Sequence, residues 1–552
     1  MTKWKNSRGH VQRIHRLLVK TFDRVAAHTA AAVLLCGLLG FLAPMAYGLF
    51  RGRPIPRVHD EFSYLLAADT FCRGRAANPT HPMWRHFESP HILQIPTYMS
   101  KYPPGQGLVL AAGKHIFGHP CYGIWMSVGF AAAVVCWMLQ AWTRPRWALL
   151  ATLLMILWIG VQGHWAQTYW GGFVAAAGGA LFLGGFRRAV VQTSVVHAVL
   201  MATGLAVMAI SRPYEGAAFA LPAMVAFAVW IFRDGTSDAL RKVLMVVVPL
   251  VLVGGPSVAA MLWYNHEITG CSHRLPYQIH QEQYFRAPLL LFQAPHEPTL
   301  GHDRLRQFYD DQAQVDLSLG RLLALPFHRM IRQACFFFPV CIAVVFIPLL
   351  CATDRWLWFA AFTWLILLGA QTLVAFNYYP HYAAPITCLL YLFCAEALRR
   401  VRTLVGRGGL VPRFRATYVV AIVLVAAMVD LGDDFRHRRE PSPPDEISAG
   451  GALWHSGHFL TREAVRKWLQ RQPGQDLVIV QYHDDYSLHR EWVYNGATID
   501  EADVVWAHDL GDEPNRRLLE YYDERRVWRV MVRDNRVTLA ELPPERHRGE
   551  GK

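Results

Sequence analysis

Two adjacent carboxylates, Asp60 and Glu61, follow the first long apolar segment of the chain. A carboxylate at such a position can take the proton from an attacking hydroxyl group. Neighbouring side chains do not point the same way, so we assign the base to Asp60. Glu61 is given a supporting role, in which it orients an acceptor or holds a divalent cation. The alternative is that both acids are solvated and stabilise the start of a helix over 62–72 through its dipole.

Two basic residues are suited to binding a phosphate. Lys101 opens the run Lys-Tyr-Pro-Pro-Gly at 101–105, where the prolines restrict the backbone and the chain turns back toward an apolar segment. Arg212 is the one basic residue in the short connections on its side of the apolar segments. Fixed cations bind phosphate, and Arg does so bidentately. The alternatives are that Lys101 extends along a membrane interface and that Arg212 pairs with Glu215.

Further polar and aromatic side chains near these stretches are expected to contact a substrate. Aromatic rings stack on sugars, and imidazole and carboxylate groups hydrogen-bond to hydroxyls. These candidates are His59, Tyr64, Tyr102, Glu215, Tyr379 and His381. The alternative for each Tyr is an aromatic belt at a membrane interface.

The elements that carry these residues belong to a membrane protein. The chain has 552 residues, of which 53% are hydrophobic and 17% are charged, against about 25% charged in soluble proteins. Apolar blocks of about 17–23 residues are long enough to cross a bilayer as helices. We predict about eleven spans, at 28–50, 121–142, 147–163, 166–186, 195–211, 216–232, 243–264, 331–352, 356–375, 382–398 and 416–432.

The basic residues set the orientation of these spans. Every second connection is basic, beginning with the N-terminal segment 1–27, and this pattern accounts for the net charge of +14 without nucleic acid as a partner. The rule predicts a cytoplasmic N-terminus, an odd number of spans and an outer C-terminus. The polar loops 51–120 and 265–330 then lie on the outer face. We therefore expect an integral protein of a bacterial inner (plasma) membrane with its site on the periplasmic side.

Residues 433–552 change in character. Strands are predicted at 477–482, 503–507, 527–532 and 537–542, and helices at 461–471 and 513–525. These elements predict a small extracytoplasmic α/β domain after the transmembrane domain 28–432. The segment 483–489 contains His and Asp residues, but its spacing matches no metal site, so we interpret it as a solvated loop. The ten cysteines form no C-x-x-C pair, although Cys72 and Cys271 both lie in long loops, where they could pair.

This pattern resembles the protein O-mannosyltransferase and aminoarabinose transferase branch of the GT-C glycosyltransferases. The resemblance covers roughly 28–400 and lies in Asp60, Glu61, Tyr64, Lys101, Pro103, Pro104 and the His-Tyr-Ala-Ala-Pro element at 381–385. It implies a polyprenyl-phosphate sugar donor, inverting transfer, Asp60 as the base and a periplasmic α/β domain. The family has Lys-Pro-Pro where this chain inserts Tyr102, which puts the position of Lys101 in question.

Residues and resemblance together predict sugar transfer from a polyprenyl phosphate to a lipid, glycan or protein hydroxyl. A phosphate leaving group needs no protonation, so one carboxylate suffices, whereas glycoside hydrolysis uses two. Two alternatives remain open at this point. One is a lipid-linked glycan polymerase or ligase, and the other is a transporter or flippase, which would more often carry polar groups at mid-membrane. A non-catalytic assembly protein would leave Asp60 and Lys101 without a role.

Overall fold

The computed structural model describes residues 2–161, 163–233, 236–312, 318–338, 353–375, 379–407, 462–484, 486–533 and 536–542. Helices make up most of the described chain up to residue 407, and a mixed sheet forms the C-terminal part. The first sixteen helices are α1 Thr2–Ala27, α2 Thr29–Arg51, α3 His59–Cys72, α4 Pro104–Phe117, α5 Cys121–Trp142, α6 Pro145–Met155, α7 Gly172–Val191, α8 Val195–Ser211, α9 Pro213–Phe232, α10 Thr236–Lys242, α11 Val248–Thr269, α12 Pro276–Tyr284, α13 Asp303–Gln312, α14 Leu319–Phe337, α15 Arg355–Thr372 and α16 Thr387–Arg407.

Several of these helices are long and apolar enough to cross a membrane. Among the described residues there are six, namely Thr29–Arg51, Cys121–Trp142, Gly172–Val191, Pro213–Phe232, Asp238–Thr269 and Pro380–Thr403. Two shorter apolar helices, Pro145–Gly160 and Val195–Ser211, occupy two further predicted spans. The total of eleven stays a prediction, because 416–432 and most of 331–352 lie outside the described residues.

Two predicted span starts are wrong, since the helix at the span expected from 331 already begins at Leu319. The span expected from 166 begins only at Gly172. The turn before it is held by polar contacts that a continuous helix would break, since the Gln167 amide donates to the carbonyls of Pro44 and Val161 at 3.1 and 2.7 Å. Polar side chains that bind backbone groups in this way compete with helix formation.

The loop 51–120, called the outer loop after its predicted orientation, contains helix α3 and helix α4. It also contains a small antiparallel sheet that the sequence analysis did not predict. Its strands are β1 Asn78–Pro79, β2 Ile92–Leu93 and β3 Thr97–Ser100, in the order β1-β3-β2. Helix α3 extends the predicted helix at 62–72 by three residues, so that both adjacent acids lie in its first turn. The sheet feeds directly into residues 101–103, which precede α4.

Helix α4 packs against α5 at a backbone-to-backbone contact. A methyl group placed on Gly123 would lie only 2.2 Å from the carbonyl oxygen of Val109. Such closeness requires glycine, because any side chain would force the two helices apart. The contact holds the outer loop directly on the helical core.

The C-terminal part has the α/β elements expected from its sequence pattern. Its strands are β4 Asp476–Tyr482, β5 Val504–His508, β6 Arg526–Arg533 and β7 Arg536–Glu541, and its helices are α17 Arg462–Leu469 and α18 Asp512–Tyr521. The strand order is β5-β4-β6-β7, with β4 parallel to β5 and β6 and with β7 antiparallel to β6. The start of the predicted domain, at 433–461, lies outside the described residues.

This sheet packs on the outer loop. Alternate side chains of a strand face opposite sides, and Leu477 and Ile479 join one buried cluster with Leu66 and Tyr98. Phe62 of α3 stacks on Tyr494, with ring centroids 4.2 Å apart. The C-terminal domain therefore shares a core with the loop that carries the candidate base.

The two cysteines that could have paired across the long loops do not do so. Cys72 and Cys271 are both free thiols.

We predict that Gly123→Ala lowers the free energy of unfolding by about 1–3 kcal/mol, because its methyl group overlaps the Val109 carbonyl. Thermal unfolding in detergent checks this. Gly254→Ala in α11 is the matched control, since a methyl group there meets no atom within 4 Å. Equal melting temperatures for the two variants would show that the helices separate easily.

Candidate active site

The carboxylate of Asp60 is held by two neighbours of different chemistry. The Tyr102 hydroxyl donates a hydrogen bond to Asp60 Oδ1, and His59 Nδ1 lies 2.9 Å from Asp60 Oδ2. Burial alone would raise the pKa of Asp60, but His59 and the Tyr102 hydrogen bond outweigh it and hold the pKa well below its ordinary value. Asp60 is therefore ionised at neutral pH, as a base must be.

Glu61 has a different environment, although it is the next residue. Its side chain is buried, and its two oxygens accept the backbone N–H groups of Arg57 and Tyr169, each at 3.0 Å. Burial raises the pKa of Glu61 to about 7, against the lowering effect of these hydrogen bonds. Glu61 does not line the cavity described below. These two hydrogen bonds tie the start of α3 to the turn before α7. The acceptor or cation role assigned to Glu61 from the sequence stays a prediction.

Lys101 is buried among aromatic rings. Its ammonium lies 5.3, 4.7 and 5.4 Å from the ring centroids of Tyr102, Tyr277 and Phe285. Aromatic faces attract a cation, yet burial lowers the pKa of Lys101 to about 7, with the charge of Asp60 acting in the opposite direction. The inserted Tyr102 leaves Lys101 at the cavity and stacks on Tyr64, with centroids 4.6 Å apart.

Arg212 and Glu215 lie where α8 passes into α9. Arg212 Nη1 is 4.0 Å from Glu215 Oε1, and its guanidinium lies 5.1 Å from the ring centroid of Tyr382. His381 contacts Trp170 and Tyr379, with centroids 4.6 and 5.5 Å apart. The ion pair that was an alternative for Arg212 is present, and it does not remove Arg212 from the cavity.

A single cavity of about 680 Å³ connects these groups. It brings together nine of the ten residues singled out from the sequence, all but Glu61, namely His59, Asp60, Tyr64, Lys101, Tyr102, Arg212, Glu215, Tyr379 and His381. Its apolar wall includes Met261, Leu275, Leu289, Leu290 and Val374. The cavity thus joins an anionic carboxylate, two basic side chains and an apolar surface.

Sequence reasoning missed several lining residues, including His91, Tyr277, Arg329, Gln371 and His489. For Tyr277 and Arg329 the sequence signal was weak, because both lie in the long loop predicted at 265–330. His489 is exposed, as the solvated loop predicted at 483–489 implies, but it also contributes to the site. That side chain lines the cavity, and its Nδ1 lies 3.3 Å from His59 Nε2.

One group of side chains in the described chain is close enough to share a cation. Ligand atoms of His59, Asp60 and His91 all lie within 4.8 Å of one another. The 2.9 Å contact between His59 and Asp60 is equally the length of a direct hydrogen bond between them. The arrangement therefore does not require a metal ion.

A bundle of apolar helices, a cavity beside a long loop and a C-terminal α/β domain place the structure in one class of fold, that of helical membrane proteins with an appended α/β domain. Within it, the structure is similar to ArnT from Cupriavidus metallidurans in the apo state, with a TM-score of 0.52 and 15% sequence identity over 96% of this chain and 99% of that chain. ArnT bound to undecaprenyl phosphate gives a TM-score of 0.53 and 14% identity over 95% of this chain and 98% of that chain. The sequence matches no protein-family model and no curated protein. The likeness confirms, at the level of fold, the GT-C resemblance stated from the sequence.

We predict that Glu61→Gln destabilises the protein by about 1–3 kcal/mol, because the amide NH₂ would face one of the two backbone N–H donors and leave it unpaired. Thermal unfolding measures the loss. Glu282→Gln is the control, since Glu282 is exposed and pairs with Arg274 at the surface. A Glu61→Gln protein of normal stability without activity would instead place Glu61 in the reaction.

Proposed function

We propose that this protein is an inverting glycosyltransferase that moves a sugar from a polyprenyl phosphate to a hydroxyl of a lipid, glycan or protein. One observation carries the proposal: the cavity places the ionised Asp60 together with Lys101 and Arg212 beside an apolar wall. A prenyl phosphate has the complementary parts, a phosphate for the cations and a chain for the apolar wall. The ArnT structure of similar fold contains undecaprenyl phosphate, which supports this choice of donor.

In the proposed reaction, Lys101, Arg212 and Asp60 have separate roles. Lys101 and Arg212 bind the donor phosphate and stabilise the charge that builds up as it leaves. Asp60 accepts the proton of the attacking hydroxyl while the acceptor oxygen bonds to the anomeric carbon from the opposite face. The bond from that carbon to the phosphate oxygen breaks, and the prenyl phosphate departs with the electron pair. Inversion follows, because a single displacement takes place.

Residues around the reacting groups orient the sugar. His59 and Tyr102 contact Asp60, and Tyr64 stacks on Tyr102. Glu215 pairs with Arg212, and Tyr379 stacks on His381. Buried polar groups of this kind give specificity, because a ligand that leaves them unpaired binds poorly.

We also propose a membrane and an orientation for this protein. Alternation of basic connections supports a bacterial inner (plasma) membrane protein with the cavity and the C-terminal domain on the periplasmic face. A polymerase or ligase acting on lipid-linked glycans would use the same charges, and the length of the product distinguishes it. A flippase would move labelled lipid across a sealed bilayer without a new glycosidic bond.

We expect Asp60→Asn to lower the transfer rate by about 10²–10⁴-fold, because the amide cannot take the proton. Binding of the polyprenyl-phosphate sugar should persist. The measurement is transfer by purified protein in proteoliposomes, with Asp310→Asn, an exposed acid 4.0 Å from Arg286, as the control. Transfer by Asp60→Asn at the wild-type rate would refute the proposed mechanism.

The buried Lys101 leads to a pH prediction. Because its pKa is lowered to about 7, the free enzyme loses this cation as the pH rises above about 7. We expect kcat/KM for the donor to fall above that pH, whereas kcat should fall only at higher pH, since bound phosphate stabilises the ammonium.

The matching variant is Lys101→Met, which should raise the donor KM and remove the alkaline fall in kcat/KM. A Lys101→Met protein that keeps both the donor KM and the alkaline fall would exclude Lys101 as the phosphate ligand.

A further inference from the structure

The side chain that contacts His59 comes from the C-terminal domain. His489 follows β4 in a short helical turn at Leu488–Arg490. Its Nδ1 lies 3.3 Å from His59 Nε2, and His59 Nδ1 lies 2.9 Å from Asp60 Oδ2. Three side chains thus form a chain of contacts that starts in the C-terminal domain and ends at the candidate base.

The ionised Asp60 at the end of this series of contacts determines which atom donates in each contact. His59 Nδ1 lies 2.9 Å from the ionised Asp60 carboxylate, and a bare lone pair at that distance would be repelled, so we place the hydrogen of a neutral His59 on Nδ1. A neutral imidazole then has a bare Nε2, which can only accept. In that state the contact with His489 is a hydrogen bond only if His489 Nδ1 carries a hydrogen and donates it.

We propose that His489 is a positioning residue of the active site, and that its Nδ1–H selects the tautomer of His59 that donates to Asp60. Without it, the His59 hydrogen is free to move to Nε2, which turns a bare Nδ1 lone pair toward the carboxylate. Asp60 would then lose both a hydrogen bond and its orientation. The inference rests on the proposed function, because it assigns His489 to the reaction that Asp60 carries out.

The loop around His489 is held from both sides. Arg304 of α13 donates to the carbonyls of His483 and Tyr486, each at 2.9 Å. The His489 N–H donates to Ser487 Oγ at 3.4 Å, and the ring of Phe308 lies 5.1 Å from that of His489 and 5.3 Å from that of His59. These contacts fix the imidazole at one place, as a positioning group requires.

The domain that carries His489 is also fastened to α3 itself. The Ala497 N–H donates to Asp69 Oδ2 at 2.9 Å, and Arg73 pairs with Glu501 at 3.0 Å. Helix α3 therefore contacts the C-terminal domain near both ends, at His59 and at Asp69 and Arg73. Such double attachment keeps the distance from His489 to His59 fixed.

Three substitutions of His489 distinguish a role in hydrogen-bond donation from a role in packing alone. Asn places an amide N–H where His Nδ1 lies, Leu has the same shape without a donor, and Asp can only accept. With the full-length protein in proteoliposomes, we expect kcat to fall about 10- to 100-fold for His489→Leu and further for His489→Asp. His489→Asn should keep kcat within about three-fold of the wild type, and the donor KM should stay unchanged in all three.

Arg517→Gln is the control, because it removes an exposed ion pair with Glu513 in the same domain, away from the cavity, and should keep the wild-type kcat. The inference is overturned if Asn is no better than Leu, or if Asp is as active as the wild type. It is also overturned if a chelator abolishes activity and a divalent cation restores it, because His59 Nδ1 would then bind the metal and carry no hydrogen. A wild-type protein that transfers no sugar would instead refute the proposed function.

Discussion

An ionised carboxylate in a cavity with an apolar wall needs fixed compensation, since a buried charge without partners is costly. Asp60 receives it from the Tyr102 hydroxyl and from His59. Neither group would stay in place alone, because each depends on another part of the chain. Tyr102 is fixed by its stacking on Tyr64, and His59 lies against the C-terminal domain. The outer loop, the prolines and the α/β domain can all be understood as supports for one charge.

Close helix packing brings the two basic side chains of the cavity to that charge. Gly105 stands just after the two prolines, and a methyl group there would lie 2.8 Å from the carbonyl oxygen of Ile210. This approach places the start of α4 against the end of α8, so that Lys101 and Arg212 line one cavity although they are far apart in sequence. A bulkier residue at 105 would separate the two cations before it altered either of them.

Much of this could be predicted from the sequence, because apolar length and strand alternation act locally. Strands β4 to β7 and the helix at Val195–Ser211 lie within one residue of their predicted bounds. The two-residue strands β1 and β2 could not be predicted, since only tertiary contacts stabilise strands so short. At the site, the adjacent positions of Asp60 and Glu61 indicated that their side chains point in different directions. Which of the two accepts backbone N–H groups depends on Tyr169, over a hundred residues away. His489 is 430 residues from His59, and no local pattern encodes such a contact.

The contact between His59 and His489 also separates two parts of the site. One part is proposed to bind the donor, and the other orients Asp60. Under the proposed function, the donor phosphate binds at Lys101 and Arg212 beside the apolar wall. Asp60 contacts His59, which is in contact with the C-terminal domain through His489. The acceptor hydroxyl then reaches Asp60 beside that domain, so we expect a change of acceptor to need changes near His489 rather than at Arg212. On this proposal one membrane scaffold can serve different acceptors, because binding of each substrate depends on different residues.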